Sequence, residues 1–274
     1  MKNVLLWILS GLILAGTISI FRAPSISGAT DEDAAAPMVQ PESQPYNIVI
    51  NIPGFRLRLY ERGKLIKIYP VCAGMPGYRS PVRSGMKINR VLWNPSWGPP
   101  PGAAWAKNSH SKGPGKWNPV GLVKMPIKGY VFVHGTYKIK SLGFAWSHGC
   151  FRMANEDAVE LAWLLQSHVG SNHPDQSLDY YRNSHRTCLV YLKQAVPVDI
   201  IYETVEVYDG KVFVHPDVYH RGTNTEERVI AKLNEAGWIT NNDTSGVDIT
   251  KIRRMIDRSP TETAIASRKD IILK

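Results

Sequence analysis

The chain contains 274 residues, 43% of them hydrophobic, and it carries a formal net charge of +10 with a sequence pI of about 9.5. This excess of positive charge favours encounter with an anionic polymer. It would also suit a nucleic-acid-binding protein, but no nucleic-acid-binding motif accompanies the charge, so a nucleic-acid partner is excluded.

The N-terminus has the pattern of a secretory signal. After Met1-Lys2-Asn3, residues 4–21 carry no charge, and Ser27-Gly28-Ala29 supplies the small residues of a cleavage site. We therefore interpret residues 1–29 as a signal peptide, which places the rest of the chain outside the cytoplasm. The uncharged run is also long enough to span a bilayer, so an N-terminal membrane anchor is the alternative. Residues 30–45 are rich in Asp, Ala, Pro, Gln and Ser and predict a flexible linker.

A series of apolar, partly alternating runs predicts a mainly β fold with a few helices. The runs Tyr46–Ile52, Phe55–Tyr60 and Leu65–Ala73 are separated by turn residues and predict a meander of antiparallel strands. Further strands are expected at Met86–Trp93, Tyr130–His134, Thr187–Leu192 and Val198–Tyr202. These strands are enough to close a small β-sandwich or barrel-like core.

Residues 93–119 combine four tryptophans with many turn-forming residues. The tryptophans are Trp93, Trp97, Trp105 and Trp117. Long irregular loops are often functional, and aromatic rings can stack on sugars or cover a bound acyl group. We expect Trp97 and Trp105 to bind substrate as part of a cleft wall or lid, with core packing as the alternative. His110, in the same loop, is expected to be exposed and non-catalytic.

A cysteine and two histidines form the chemical centre of the sequence. His134 ends the apolar run Tyr130–Val133 and is followed by Gly135-Thr136, so its imidazole is expected at a strand end facing a cleft. Cys150 follows 16 residues later, which suits a strand, a loop and a return into the same site. A thiol with a pKa of about 8.5 needs a nearby base or a positive field to act as a nucleophile. His134 and His148 are the candidate bases.

The segment around Cys150 has further features of an active-site loop. Gly149 lets the backbone approach a substrate closely, and N–H groups around Gly149 and Cys150 can stabilise a tetrahedral oxyanion. Arg152 supplies a fixed charge that can hold a thiolate or pair with a substrate carboxylate.

A helix is predicted to begin directly after this loop. Asn155 is a good N-cap residue, and acidic residues follow it in the first turn. The apolar stripe of the helix consists of Ala158, Leu161, Ala162 and Leu165. We expect this stripe to pack beneath the loop and to fix the position of Cys150.

Residues 203–274 predict a small α+β C-terminal appendage. Val205–Tyr208 and Lys211–Val214 flank Asp209-Gly210 and predict a hairpin. Helical patterns follow at 225–236 and 248–256. The appendage is expected to pack against the preceding domain or to contact a partner, and its last dozen residues are expected to be disordered.

Several segments together resemble the catalytic signature of the L,D-transpeptidases, the family with a YkuD-like domain. The segments are Val133-His134-Gly135-Thr136, Leu142-Gly143 and Ser147-His148-Gly149-Cys150-Phe151-Arg152-Met153. Upstream, Arg79–Gly85 resembles the Thr-Pro-x-x-x-Gly turn of the family and Asn118–Gly121 resembles its Asn-Pro-Leu-Gly segment. The resemblance covers residues 46–202, a length that suits one catalytic domain.

The resemblance implies a role for each residue of the signature. Cys150 would be the nucleophile and His134 the proton acceptor and donor, while His148, Ser147 and Gly149 would shape the site. The substrate-binding residues implied or expected are Arg152, Gly135, Thr136, Trp97 and Trp105. The family needs no metal or organic cofactor.

The resemblance also implies a reaction in the periplasm. The family attacks the bond between the third residue of a peptidoglycan stem peptide, usually meso-diaminopimelate, and D-Ala at position four. D-Ala leaves and a thioester remains. An amine of another stem or of an envelope protein then resolves the thioester, whereas resolution by water would make the enzyme a carboxypeptidase or an amidase.

Two other classes of function stay open on the sequence alone. Zinc accepts His and Cys ligands, so His134, His148 and Cys150 could form a metal site, although the His148-x-Cys150 spacing is tighter than usual. A catalytically silent wall-binding module is the other alternative. Cys72 and Cys188 form the one disulfide that would spare Cys150, but both lie in apolar runs, where a free buried cysteine is the preferred interpretation.

Overall fold

The computed structural model describes residues 45–168, 176–259 and 262–273. The strands in chain order are β1 (Tyr46–Asn51), β2 (Arg56–Glu61), β3 (Lys64–Pro70), β4 (Ala73–Gly74), β5 (Arg83–Trp93), β6 (Val123–Lys128), β7 (Val131–Thr136), β8 (Ala145–Ser147), β9 (Phe151–Ala154), β10 (Cys188–Ile201), β11 (Val205–Tyr208), β12 (Lys211–Val214) and β13 (Ala264–Ser267). The helices are α1 (Asn155–His168), α2 (Leu178–Asn183), α3 (Glu226–Glu235), α4 (Ile249–Arg258) and α5 (Arg268–Ile271).

The main sheet has the order β3-β2-β1-β10-β5-β6-β7-β9 within the described residues. β1 pairs in parallel with β10 and β7 in parallel with β9, whereas the other neighbours are antiparallel. The predicted meander of the first three strands is confirmed, as is the mainly β, barrel-like fold class.

The two ends of this sheet approach each other through Cys72 and Arg152. Cys72 follows β3, and its backbone N–H donates to the carbonyl of Arg152 on β9 at 2.9 Å. The N–H of Arg152 donates in return to the carbonyl of Cys72 at 3.0 Å. The sheet is therefore a nearly closed barrel, and the seam of the barrel runs beside the candidate site.

One hydrophobic core fills the barrel and extends beneath α1. Alternate residues of β1 and β2 point inward, as shown by the complete burial of Ile48, Ile50, Leu57 and Leu59. Each buried aliphatic side chain of this size contributes roughly 1.5–3 kcal/mol through removal of apolar surface from water. The predicted apolar stripe of α1 is confirmed, because Ala158, Leu161, Ala162 and Leu165 are all fully buried.

Three predictions for the main domain need correction. The two strands predicted at Thr187–Leu192 and Val198–Tyr202 are one strand, β10 (Cys188–Ile201), because the residues between Tyr191 and Val196 form an irregularity in the pairing with β5 instead of a turn. The run Leu65–Ala73 ends as a strand at Pro70, since Cys72 turns away to pair with Arg152. Asn155 is the first residue of α1, and its side chain bonds to the loop before β6.

Residues beyond 203 form a second hydrophobic core. The strand order is β11-β12-β13, and the predicted hairpin and both predicted helices are confirmed. The core packs Val212 and Val214 against Val229, Leu233 and Ile252 from α3 and α4. The expectation of a disordered tail is wrong for residues 262–273, because β13 completes the sheet and α5 follows it.

The N-terminal predictions fall largely on residues that the structure does not describe. Residues 1–29, interpreted as a signal or an anchor, and the linker up to residue 44 lie outside the described residues. Within the described part of the chain, the helices are too short or too polar to cross a membrane.

Candidate functional site

The pairing of β7 with β9 separates a core face from a cleft face. Val133 pairs with Phe151, and both side chains are fully buried in the barrel. His134 pairs with Arg152 at the next position. Because side chains alternate between the two faces of a sheet, His134 and Arg152 share the face opposite to that core pair. Cys150 stands one residue before β9, next to this face.

His134 has a defined tautomer. Its Nδ1 lies 2.8 Å from the backbone carbonyl oxygen of Gly135, and a carbonyl can only accept a hydrogen bond. The proton therefore sits on Nδ1, and Nε2 keeps its lone pair. Burial lowers the pKa of His134 to about 4, and the positive charges of Arg152 and Lys124 act in the same direction. The imidazole is thus a neutral base at physiological pH.

Cys150 is half-buried, and its thiol points to the turn before β7. The Sγ atom donates to the backbone carbonyl of Tyr130 at 3.2 Å. Burial raises the pKa of the Cys150 thiol, while the backbone N–H of Phe132 and the charges of Lys124 and Arg152 act to lower it. Two cations thus favour the thiolate in a site that otherwise disfavours charge.

Lys124 is a component of this site that the sequence analysis missed. It lies on β6 directly opposite His134, and its Nζ atom stands 4.0 Å from the ring centroid of Phe132. Burial lowers the pKa of Lys124, and the nearby charge of Cys150 opposes this shift. No carboxylate of the described residues pairs with Lys124. The sequence of β6 does not indicate that Lys124 belongs to the site, because only the pairing of β6 with β7 brings it there.

Ser147 holds the shape of the loop that carries Cys150. Its buried hydroxyl donates to the carbonyl of Cys150 at 2.6 Å and accepts from the N–H of Gly149 at 3.1 Å. Gly149 has a φ of +103°, a region in which side chains other than glycine are strained. The carbonyl of Gly149 accepts a further hydrogen bond, at 3.0 Å, from the hydroxyl of Ser80.

His148 is sandwiched by aromatic rings. Trp105 stacks on it with ring centroids 3.9 Å apart, and Tyr78 meets it edge-on at 4.7 Å. Burial lowers the pKa of His148, and the charges of Arg152 and Lys138 add to this effect. The long loop therefore reaches the site through Trp105.

The other aromatic residues of this loop differ in placement. Trp93 is fully buried, and its indole Nε1 donates to the side-chain oxygen of Gln166 at 2.8 Å. Trp93 is therefore a core residue. Trp97 is half-buried and pairs through its backbone with Lys112, while Trp117 is exposed. His110 is exposed, as predicted.

Gly135 and Thr136 are buried, although the sequence suggested that they bind substrate. A Cβ at Gly135 would lie 2.3 Å from Oδ1 of Asn155, which is closer than atoms can approach. The hydroxyl of Thr136 accepts from the backbone N–H of Lys138 at 3.1 Å. These two residues fix the turn after β7 and the contact with α1.

The three cysteines are free thiols in this structure, so the alternative Cys72–Cys188 disulfide is not formed. Cys72 is buried and Cys188 is half-buried. The described residues also contain no group of three or more His, Cys, Asp or Glu side chains that could hold a metal ion. The alternative zinc site of His134, His148 and Cys150 therefore has no support.

A positively charged cleft lies at the turn that precedes β7. It has a volume of about 420 Å³ and opens between β5 and the turn that joins β6 to β7. Four of its lining residues are cationic: Arg83, Lys87, Arg90 and Lys128. The same turn leads into Tyr130, whose carbonyl accepts the Cys150 hydrogen bond.

Comparison with known proteins shows which family this chain resembles. A family model described as the L,D-transpeptidase catalytic domain, YkuD, matches residues 45–196. A putative L,D-transpeptidase YkuD of Bacillus licheniformis is 35% identical over 125 residues, which cover 46% of this chain and 63% of that protein. A probable L,D-transpeptidase YbiS of Escherichia coli K12 is 29% identical over 138 residues, which cover 47% of this chain and 45% of that protein.

The chain thus spans roughly half to two thirds of the length of these relatives. Among solved structures, an L,D-transpeptidase from Mycobacterium smegmatis superposes with a TM-score of 0.37. The sequence identity is 16%, and the match covers 57% of this chain and 58% of that one.

Proposed function

The chain belongs to the L,D-transpeptidase family, and we propose that it is a peptidoglycan L,D-transpeptidase in which Cys150 is the nucleophile and His134 the base. One observation carries this proposal. A neutral imidazole with a free Nε2 and a half-buried thiol stand beside adjacent strands of one sheet, with two cations close to them. This combination supplies a base, a nucleophile and a positive field.

The resting state is the neutral pair of thiol and imidazole. The pKa of His134 is lowered to about 4 and the pKa of the Cys150 thiol is raised, so a proton on the imidazole is disfavoured before substrate binds. Proton transfer from Sγ to Nε2 would therefore accompany attack on the substrate carbonyl. The new S–C bond gives a tetrahedral oxyanion.

Collapse of this intermediate breaks the C–N bond to D-Ala. His134 returns its proton to the departing amine of D-Ala, and the acyl group stays on Cys150 as a thioester. The amine of the acceptor then attacks the thioester and gives its proton to His134. Cys150 leaves as a thiolate and recovers that proton, which restores the free enzyme.

The charge of the site fits an anionic substrate. Stem peptides carry carboxylates, and Arg152 and Lys124 supply positive charge at the thiol, while the cationic cleft lies at the turn that leads into Tyr130. The acyl acceptor would be the amine of a second stem or of an envelope protein. We propose the periplasm as the place of reaction, with residues 1–29 as the export signal or residues 4–21 as an anchor.

The test is intact-protein mass spectrometry of the chain with a disaccharide tetrapeptide, in the presence and absence of a diaminopimelate-type amine. We expect an acyl adduct and release of D-Ala, followed by a 3→3 linked dimer when the amine is present. Cys150→Ala should abolish all three. Cys188→Ala is the matched control, because it removes a free half-buried thiol on β10 and should react like the unmodified chain.

Other outcomes would redirect the assignment. Release of D-Ala without any amine product would make the protein a carboxypeptidase. Full activity of Cys150→Ala would exclude a thioester, and absence of both adduct and release would favour a wall-binding module.

A further inference from the structure

A tyrosine from the C-terminal segment is part of the main core. Tyr219 follows β12, beyond residue 202, yet its side chain is almost fully buried against the barrel. Its ring stacks on Tyr202 with centroids 5.4 Å apart, and its backbone N–H donates to the Tyr202 hydroxyl at 2.7 Å. Arg79 lies over the ring and donates to the carbonyl of Tyr219 at 3.2 Å. Contacts on several sides therefore fix the position of Tyr219.

The hydroxyl of Tyr219 ties together the turn between β4 and β5. It donates to the carbonyl of Gly74 at 2.9 Å and accepts from the backbone N–H of Ser80 at 2.9 Å. Within the turn, the N–H of Gly74 donates to the Ser80 hydroxyl, also at 2.9 Å. The Tyr219 hydroxyl, from a distant part of the chain, thus holds the backbone of the turn at Gly74 and Ser80, and Gly74 in turn bonds to the Ser80 hydroxyl.

Ser80 connects this turn to the loop that carries the Cys150 thiol. Its hydroxyl donates to the carbonyl of Gly149 at 3.0 Å. In a planar trans peptide the carbonyl of one residue and the N–H of the next point in opposite directions. Fixing the Gly149 carbonyl therefore also fixes the direction of the Cys150 N–H. The N–H of Gly149 already donates to Ser147, so the N–H of Cys150 is the donor that this arrangement orients.

We propose that Tyr219 is a positioning residue for the oxyanion site, acting through Ser80 on the peptide that joins Gly149 to Cys150. This inference rests on the proposed function, because an oxyanion forms only if Cys150 attacks a carbonyl. It gives the segment after residue 202 a role in the reaction. In this proposal the segment helps to hold the loop that carries Cys150 in position.

The principal variant is Tyr219→Phe, which keeps the ring and its stacking and removes the hydroxyl. We expect the rate of acylation by the tetrapeptide to fall about tenfold, less than the 10²–10³-fold loss that follows removal of an oxyanion donor itself. Alkylation of Cys150 by iodoacetamide should stay unchanged, because displacement at a saturated carbon forms no oxyanion. A general destabilisation of the fold would change the acylation rate and the alkylation rate alike, so it would not produce this difference.

Tyr69→Phe is the matched control. Tyr69 is also almost fully buried, and its hydroxyl has no hydrogen-bond partner among the described residues. Loss of this hydroxyl should leave both acylation and alkylation unchanged. Ser80→Ala should reproduce the effect of Tyr219→Phe. Their combination should be no worse than Ser80→Ala alone, because both act through one path.

A second measurement does not depend on the substrate. Hydrogen–deuterium exchange of a peptide covering residues 147–151 should be several-fold faster in Tyr219→Phe and in Ser80→Ala, but not in Tyr69→Phe. Unchanged exchange in Tyr219→Phe would overturn the inference, as would acylation at the rate of the unmodified chain. If the unmodified chain is not acylated at all, the proposed function fails, and exchange alone then decides whether Tyr219 positions the loop.

Discussion

Lys124 lies directly opposite His134 in the antiparallel pairing of β6 with β7. Side chains at such paired positions lie on the same face with Cβ atoms about 5 Å apart. A lysine therefore stands beside the proposed base and contributes to the positive field at the Cys150 thiol. Both effects bear on the proposed mechanism, since the same charge that favours the Cys150 thiolate disfavours a protonated imidazole at His134.

Replacement of Lys124 by Gln should raise the pKa of the Cys150 thiol, because one of the charges that stabilises the thiolate is lost. Because the thiolate is the form that reacts, the rate of alkylation by iodoacetamide at pH 7 should fall by about three- to tenfold. Peptide-resolved mass spectrometry over a series of pH values measures this rate for Cys150 alone. Lys64→Gln, an exposed change at the start of β3, removes a lysine that does not act on the Cys150 thiol and should leave the profile unchanged. Equal profiles for both variants would contradict the assigned role.

The stability of the protein should fall between pH 6.5 and pH 4 because of His134. An unfolded histidine has a pKa of about 6.5, whereas burial lowers the pKa of folded His134 to about 4. In this interval the unfolded state binds more protons, so the free energy of unfolding decreases as pH falls. The difference amounts to about 2 to 3 kcal/mol at pH 4.5.

His134→Gln should remove this part of the acid sensitivity. Urea unfolding at pH 7 and pH 4.5 should show a smaller loss of stability for His134→Gln than for the unmodified chain. The control is His110→Gln, since His110 is exposed in the long loop. If His134→Gln lost as much stability on acidification as the control, the buried imidazole would not be the cause.

His148 is expected to act through packing and not through proton transfer. Its ring is stacked against Trp105 and met edge-on by Tyr78. His148→Phe retains an aromatic ring and should keep kcat/KM within about threefold, whereas His148→Ala should lower it by at least tenfold, about 1.4 kcal/mol. The measurement is the rate of D-Ala release as a function of pH. Equal loss in both variants would assign a chemical role to the imidazole.

The contact of Arg58 with Glu206 should be a large contributor to the stability of the C-terminal segment. The guanidinium of Arg58 donates to both carboxylate oxygens of Glu206 at 2.6 and 2.9 Å, and His215 bonds to the same carboxylate at 2.9 Å. Burial alone would raise the pKa of Glu206, but these bonds outweigh it and hold the pKa at about 2. This stabilisation is therefore present above pH 4.5 and is lost as pH falls towards 2.

Glu206→Ala would leave Arg58 buried without its partner, which should cost about 3–5 kcal/mol. Glu160→Ala is the control, because Glu160 pairs with Lys67 on the surface, where an ion pair contributes about 0–1 kcal/mol. Urea unfolding at pH 7 compares the two variants. Similar losses of stability would show that the buried pair is no stronger than the exposed one.

Local patterns predicted most of the elements. The alternation of apolar residues predicted β1, β2, β5 and β7, and the stripe of Ala158 to Leu165 predicted the buried face of α1. Both signals arise from the repeat of the backbone itself, so they can be recognised without knowledge of the fold. Prediction failed where a strand continued through an irregularity, as in β10, and where the C-terminal tail gained a partner strand.

The sequence by itself was enough to propose Cys150 as nucleophile and His134 as base, because their neighbours along the chain indicate this chemistry: an apolar strand precedes His134, and a glycine stands beside Cys150. Only the tertiary structure placed Lys124 opposite His134 and Tyr219 beneath Ser80. These contacts join residues that are far apart in the chain or lie on different strands, and no local period specifies which strands become neighbours. The proposed nucleophile and base were therefore evident from the sequence, while the residues that surround and support them were decided by strand pairing and packing.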